Sequence, residues 1–300
     1  MIGQAIADGV LTGAIIALGA LGVSLCLQIL RFANFAQAEL LTFGAYAALT
    51  FTGFATAGVS IGPLSFGWQL LVAVALAGLA TAAVAVAVDR LVFAHLRRRQ
   101  AHDLTMVFAS FGLALILRNL VLLLWGPDAH YYSQELQIAI EVLPGVRLMP
   151  DQVFVLGLAL VLVLGLHLFL RFSRLGRAMR AMAESPALAR ICGIGTEAMV
   201  RWTWVASGAL AAAAGVFAGL TVQIRPEMGA NLLLPILTAA ILGGTGSLFG
   251  AVVGGLVVGL AENLSVLIIP TSYISTVPFL LLILVLWVRP QGLFAPGGSR

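Results

Sequence analysis

The stretch RFSRLGRAMRAMAESPALARICGIGTEAMVR, Arg171 to Arg201, is a polar island in a chain whose residues are 61% hydrophobic. It carries six arginines against two acids, Glu184 and Glu197. Apolar runs of membrane-span length flank it at 152–170 and 202–224. Each guanidinium at the centre of a bilayer costs at least about 2.5 kcal/mol, so six of them cannot lie in a span. The segment therefore sits outside the bilayer and its neighbours sit inside. That contrast makes the chain an all-α, polytopic integral membrane bundle.

Composition points the same way. Of 300 residues only 9% are charged, and the mean hydropathy is +1.08. A soluble domain of this size could not keep so few polar residues on its surface. No polar stretch is long enough for a separate soluble domain, so residues 1–300 read as one transmembrane domain, with 171–201 as its largest basic loop. The opening MIGQAIADGV lacks a basic n-region and a small-residue cleavage site, and is expected to remain as the start of the first span. The net charge of +4 comes from 16 arginines with no lysine. A Walker A loop needs a lysine to reach the β- and γ-phosphates, so any nucleotide engine must be a separate chain. Cys26 and Cys192, one in an apolar span and one in the basic loop, give neither a disulfide nor a metal pattern. The positive charge reads as membrane topology, not as a nucleic-acid footprint.

The spans follow from the charge-free runs. Gly9 to Leu30 is free of charge for 22 residues, enough to cross about 30 Å of hydrocarbon. Leu40 to Val88 is charge-free for 49 residues and is punctuated by Gly58, Ser60, Gly62, Pro63 and Ser65, giving spans at 36–55 and 69–89 with Trp68 at an interface. Further spans are 104–125, 152–170 and 202–224. The apolar remainder breaks into 231–246, 248–268 and 274–289, for eight or nine segments in all. The loops 89–103 and 171–201 are basic, whereas 126–151 is acidic. Under the positive-inside rule the basic loops are cytoplasmic, which puts the N-terminus outside and Arg289 inside. Segment 231–246 is either a short crossing or a re-entrant hairpin.

Two places interrupt the apolar pattern with polar or backbone-exposing residues, and broken helices of that kind mark transport paths. One holds Asn34, Gln37 and Glu39. The other is Gly243-Gly244-Thr245-Gly246-Ser247. Their plain alternatives are a turn between spans and a tight helical hairpin. Gly246, Gly250 and Gly254, with Ala251, Gly255 and Gly259 beside them, form small-residue stripes that suit close helix packing within the subunit or between subunits. Glu39, Arg118 and Glu262 are ionisable groups within or beside apolar runs. An Arg118–Glu262 pair is expected, with snorkelling of Arg118 as the simpler option. His167 reads as interfacial.

Within the basic loop, Ser185-Pro186 has the form of a helix start, with Ser at N-cap and Pro at N1. Gly193 is placed as the C′ residue that ends the helix, and Thr196 as the N-cap of the next span. Leu188, Ile191 and Cys192 would form the apolar side, with Arg190 turned away. Topology and anionic headgroups alone account for a basic loop, but they require neither cap. A capped helix points instead to a docking element for a soluble partner.

These residues resemble the permease subunits of branched-chain amino acid ABC importers, of the LivH type. RLGRAMRAMAE (174–184) followed by ARICGI (189–194) is similar to the family's coupling loop. ANFAQAE (33–39) with GAY (44–46), TAAILGGTGS (238–247) and RPQGLF (289–294) are similar to other family stretches, and the likeness covers nearly the whole chain. Where the family usually shows His-Gly, this chain has Gln37-Ala38. The resemblance implies a dimer of permeases in a bacterial inner membrane. It implies two cytoplasmic ATPases docked on Glu184, Ser185, Leu188, Ala189, Arg190, Ile191, Gly193 and Ile194, and a periplasmic binding protein that delivers substrate. The translocation path is expected to comprise Asn34, Gln37, Glu39, Gly243, Gly244, Thr245 and Gly246. Related permeases for urea or short amides are one alternative. An ATP-independent secondary transporter or channel is another, and it would need more mid-membrane charge than this chain offers. A membrane-embedded enzyme is excluded because the four histidines are scattered over loops and span ends. No cofactor is expected.

Overall fold

A computed structural model of the chain describes residues 2–54, 64–132, 139–143, 146–244, 246–289 and 292–294. Among these residues nine apolar helices form the bundle. They are α1 (Ile2–Leu30), α2 (Ala36–Phe54), α3 (Trp68–Val88), α5 (Asp103–Trp125), α6 (Pro150–Phe172), α9 (Thr196–Thr221), α10 (Met228–Gly243), α11 (Leu248–Ser265) and α12 (Val277–Val288). Short helices α4 (Ala94–Arg98), α7 (Arg174–Glu184) and α8 (Pro186–Ile191) lie among the basic segments. The expected break at Gly58, Ser60, Gly62 and Pro63 lies outside the described residues. Ser65 beyond it is held by Asp151, which accepts from the Ser65 backbone at 3.1 Å and from its hydroxyl.

α1 is the central post, packing most extensively along α11 and also against α9 and α10. The glycine stripes make this possible. A Cβ on Gly255 or Gly259 would fall inside van der Waals contact with the backbone of Ala17 or Gly13 on α1. On the adjacent stripe, Gly250 and Gly254 meet the Gly243 and Ala239 backbone of α10. Both stripes are thus used inside the subunit, where small residues let backbones approach and gain dispersion contacts that lipid cannot replace.

The polar segments separate to the two ends of the bundle. At the acidic end, His130 and Ile224 exchange backbone hydrogen bonds of 2.9 Å, and Gln4 brackets the Arg147 backbone at 2.9 and 3.0 Å. A two-stranded antiparallel hairpin, β1 (Ile140–Leu143) and β2 (Val146–Leu148), sets Glu141 opposite Arg147. This hairpin is an addition to the all-α reading. At the basic end, Phe93 stacks on Trp204 at 5.3 Å and meets Phe32 at 5.1 Å, tying α1, α3 and α9 together.

Three expectations are corrected here. Residues 89–98 are helical, not loop. α3 continues through a π-helical turn (Asp89–Phe93) into α4, making one rod from Trp68 to Arg98. Buried Asp89 accepts two hydrogen bonds from Arg97, at 2.7 and 3.1 Å, and so carries a charge through that turn. Arg118 pairs with Glu227 at 3.2 Å instead of Glu262, because Glu227 at the approach to α10 comes within reach of α5, while Glu262 lies buried on α11, which packs on α1 and α10. The N-cap of α9 is Gly195, whose carbonyl accepts from Met199, and Thr196 is already the first helical residue.

Segment 231–243 is continuous helix with no hairpin inside it. α10 begins near Thr42, whose hydroxyl accepts from Gly229 at 2.9 Å, and ends beside Gln28 at the basic end. Pro278, in the first turn of α12, accepts from Thr238 at 3.3 Å. α11 then runs back and α12 returns, which places Arg289 with the other basic residues.

Candidate functional site

The 171–201 stretch folds into a chain of two short helices between two long ones. α6 ends at Ser173, whose hydroxyl accepts from Gly176 at 2.8 Å and so starts α7. Gly176 lies so close to the Leu170 backbone that no side chain fits there. Arg177 and Arg180 reach back to the carbonyls of Phe172 and Arg171 at 3.1 and 3.2 Å. Those carbonyls are orphans of a helix C-terminus, and guanidinium donors there also favour the helix dipole. α7 buries Gly176, Met179 and Met182 and exposes Arg174, Arg177 and Arg180. The sequence reading missed this helix, although Leu175, Met179 and Met182 at i, i+4, i+7 signal it.

α8 begins at Ser185, whose side chain accepts from Leu188 at 3.4 Å, with Pro186 at N1. Its end is a Schellman turn. Gly193 takes φ +80° and donates to Arg190 at 3.0 Å, and Ile194 donates to Ala189 at 2.9 Å. Only Ala189 is buried, at 3% exposure; Leu188 is 64% and Ile191 82% exposed, and Cys192 and Arg190 are exposed beside them. The apolar side therefore faces outward together with Arg190, instead of packing against the bundle. Glu184, the last residue of α7, is exposed as well. A groove between α8 and the end of α4 is lined by Arg31, Arg97, Arg98, Pro186, Arg190 and Glu197.

The second set of expected residues lies inside the bundle. Arg31 adopts φ +62° and ends α1, and the chain turns into α2 below the level of the basic end. The Phe35 amide donates at 3.2 Å to Ser110, two turns into α5. Asn34 Oδ1 accepts from Ala36 at 3.2 Å, starting α2, while its Nδ2 has no partner. Gln37 donates to the Ser207 carbonyl of α9 at 2.8 Å, close against Gly22, and its Oε1 has no partner. Glu39 is 4% exposed with Oε2 unpartnered. The break is thus a polar segment enclosed by protein, which is where non-helical backbone is tolerated at membrane depth.

Gly243, Gly244 and Gly246 do not join that cluster. They close the hairpin from α10 to α11 at the basic end, with Gly244 at φ +103° and Gly246 at φ +93°. Leu293 and Phe294 donate to the Leu242 and Gly243 carbonyls at 2.8 and 3.1 Å, so the end of the chain caps α10. Thr245 lies outside the described residues. Among the described residues no group of three or more His, Cys, Asp or Glu side chains could hold a metal ion.

The profile of the family described as "Branched-chain amino acid transport system / permease component" matches residues 5–286. The chain is 32% identical over 297 residues to the high-affinity branched-chain amino acid transport system permease protein LivH of Escherichia coli K12, covering 97% of this chain and 94% of that one. It is 33% identical over 303 residues to the corresponding BraD protein of Pseudomonas aeruginosa, with the same coverage. A probable LivH of Methanocaldococcus jannaschii is 28% identical over 304 residues, covering 95% of this chain and 91% of the relative.

Proposed function

The chain belongs to the family of branched-chain amino acid transport permeases, and from that premise we propose that it is the membrane subunit of an ATP-driven importer of those amino acids. It is a multi-pass membrane protein. In the proposed assembly it sits in a bacterial inner membrane and pairs with a second permease. Two ATPases bind at the basic end, and a periplasmic binding protein delivers cargo at the acidic end. The chain itself catalyses no reaction.

The observation that carries this reading is α8, a helix fixed at both ends whose apolar residues Leu188 and Ile191 point away from the bundle. An exposed apolar face rimmed by charge suits a protein partner. The attachment suits force transfer. Closure of the ATPases would displace α8, and α7 would pass the movement to α6 through the Arg177 and Arg180 bonds to its last carbonyls. α9 would receive it through the Schellman turn. For the path, we take the stripe of α2 that carries Glu39. Asn34 and Gln37 set the start of that helix, and Gly243, Gly244 and Gly246 close the α10–α11 hairpin at the basic end of the same bundle.

The test is co-purification and transport. Leu188→Glu and Ile191→Glu should each release the ATPase while leaving the permease monodisperse. Leucine uptake by reconstituted complex should require ATP hydrolysis. Uptake that survives ATP depletion would overturn the proposal and favour a secondary transporter or channel.

A further inference from the structure

Resting on the transport reading above, we propose that Glu39 and Arg118 form the position that recognises the charged head of the cargo, an aliphatic α-amino acid in zwitterionic form. Phe35, in the turn that leads into α2, and Glu39 and Phe43 within it recur at i, i+4 and i+8 and so follow one side of the helix. Edge-on ring contacts of Phe35 with Phe111 at 6.3 Å, and of Phe43 with Trp125 at 6.2 Å, turn that stripe toward α5. The neighbouring stripe meets α10, where Gly229 donates to Thr42 and lies against the Ala38 carbonyl. Arg118 of α5 reaches across to Glu227, the residue just before α10, and it lies two turns from both Phe111 and Trp125, whose partners Phe35 and Phe43 each stand one turn from Glu39. One guanidinium is therefore set among α5, α2 and the approach to α10.

The distribution of hydrogen bonds is uneven. Arg118 gives its hydrogen bond to Glu227, which is 64% exposed at its side chain, while buried Glu39 is left with Oε2 unpartnered. A carboxylate at this depth with an empty acceptor is costly unless a donor arrives to complete it. An α-ammonium brings three N–H donors and a positive charge, which is the chemistry Oε2 lacks. The α-carboxylate of the same molecule can take over Arg118, because Glu227 is exposed enough to turn to water. The four aromatic rings beside Glu39 offer an apolar wall for an aliphatic side chain. A desamino acid would leave Glu39 unsatisfied, and a simple amine would leave Arg118 with no second anion.

The test uses the full complex in proteoliposomes, with leucine uptake measured for the wild type, Glu39→Gln, Arg118→Gln and the double variant. Glu39→Gln should raise the leucine KM on the order of tenfold or more, the loss expected for a charge-assisted hydrogen bond. The double variant should remain impaired. Recovery of uptake in the double variant would mean that Glu39 only neutralises Arg118, and would overturn the proposal; so would an unchanged KM in Glu39→Gln. A second measurement does not depend on the variants folding. The wild-type complex without binding protein should be thermally stabilised by millimolar leucine, and not by 4-methylpentanoate or 3-methylbutylamine. Equal shifts for all three, or none for leucine, would overturn it. Absence of any ATP-driven leucine uptake by the wild type would instead sink the transport reading itself.

Discussion

Ile194 donates its backbone N–H to the Ala189 carbonyl at 2.9 Å, and this bond closes the far end of α8 against the start of α9. It exists because Gly193 adopts φ +80° between them. The helix proposed to meet the ATPase is thus fixed by backbone geometry at the end opposite its Ser185 cap.

Replacing Gly193 tests that geometry. Alanine in the left-handed region costs about 1–2 kcal/mol, whereas asparagine adopts it more readily. Binding-protein-stimulated ATP hydrolysis by the assembled complex should fall in the order wild type, Gly193→Asn, Gly193→Ala. Equal rates in all three would detach this turn from coupling.

The two native cysteines report orientation without mutation. Cys192 is exposed at the end of α8, and Cys26 is fully buried in α1. A membrane-impermeant maleimide should modify one cysteine per chain, Cys192, and only in everted vesicles. Bound ATPase should slow the reaction. Labelling of right-side-out cells would reverse the topology.

The glycines of the bundle should differ in tolerance. Gly259→Leu drives a side chain into the Gly13 backbone and should cost about 1–3 kcal/mol or more, seen as a lower melting temperature in detergent. Gly157 of α6 has nothing within 4 Å of a built Cβ, so Gly157→Ala should raise stability by about 0.5–1 kcal/mol. Similar effects at both sites would contradict the α1–α11 contact.

Arg118 should couple to Glu227 and not to Glu262. Double-mutant cycles on thermal stability should give about 0.2–1 kcal/mol for Arg118 with Glu227, the range for a pair with one exposed partner. Arg118 with Glu262 should be additive within about 0.5 kcal/mol. A larger coupling to Glu262 would restore the pairing expected from sequence.

The membrane bundle, its eight or nine apolar segments and the caps of α8 were legible in the sequence because each is a local property. Span length follows from hydrocarbon thickness, and Ser185, Pro186 and Gly193 act within one or two helical turns of themselves. Charge-free runs also mark where spans stop only when no charge is helical. Arg90, Arg97 and Arg98 broke that rule, because Asp89 supplies a buried partner inside the same rod. α7 went unseen because its arginines looked like topology alone, while two of them hold the end of α6.

What the sequence determined by itself was therefore the class of molecule, the order of its long apolar helices, and the segregation of charge to two ends. Tertiary structure decided which residues meet. Small-residue stripes can serve any close neighbour, and only the approach of α1 and α10 to α11 assigned Gly255 and Gly259 to one and Gly250 and Gly254 to the other. A lone intramembrane charge likewise has several possible partners. The chain approaching α10 brought Glu227 to Arg118 and left the buried Glu39 oxygen without a partner. Pairings of this kind depend on distances between segments far apart in the chain, and no local pattern encodes them.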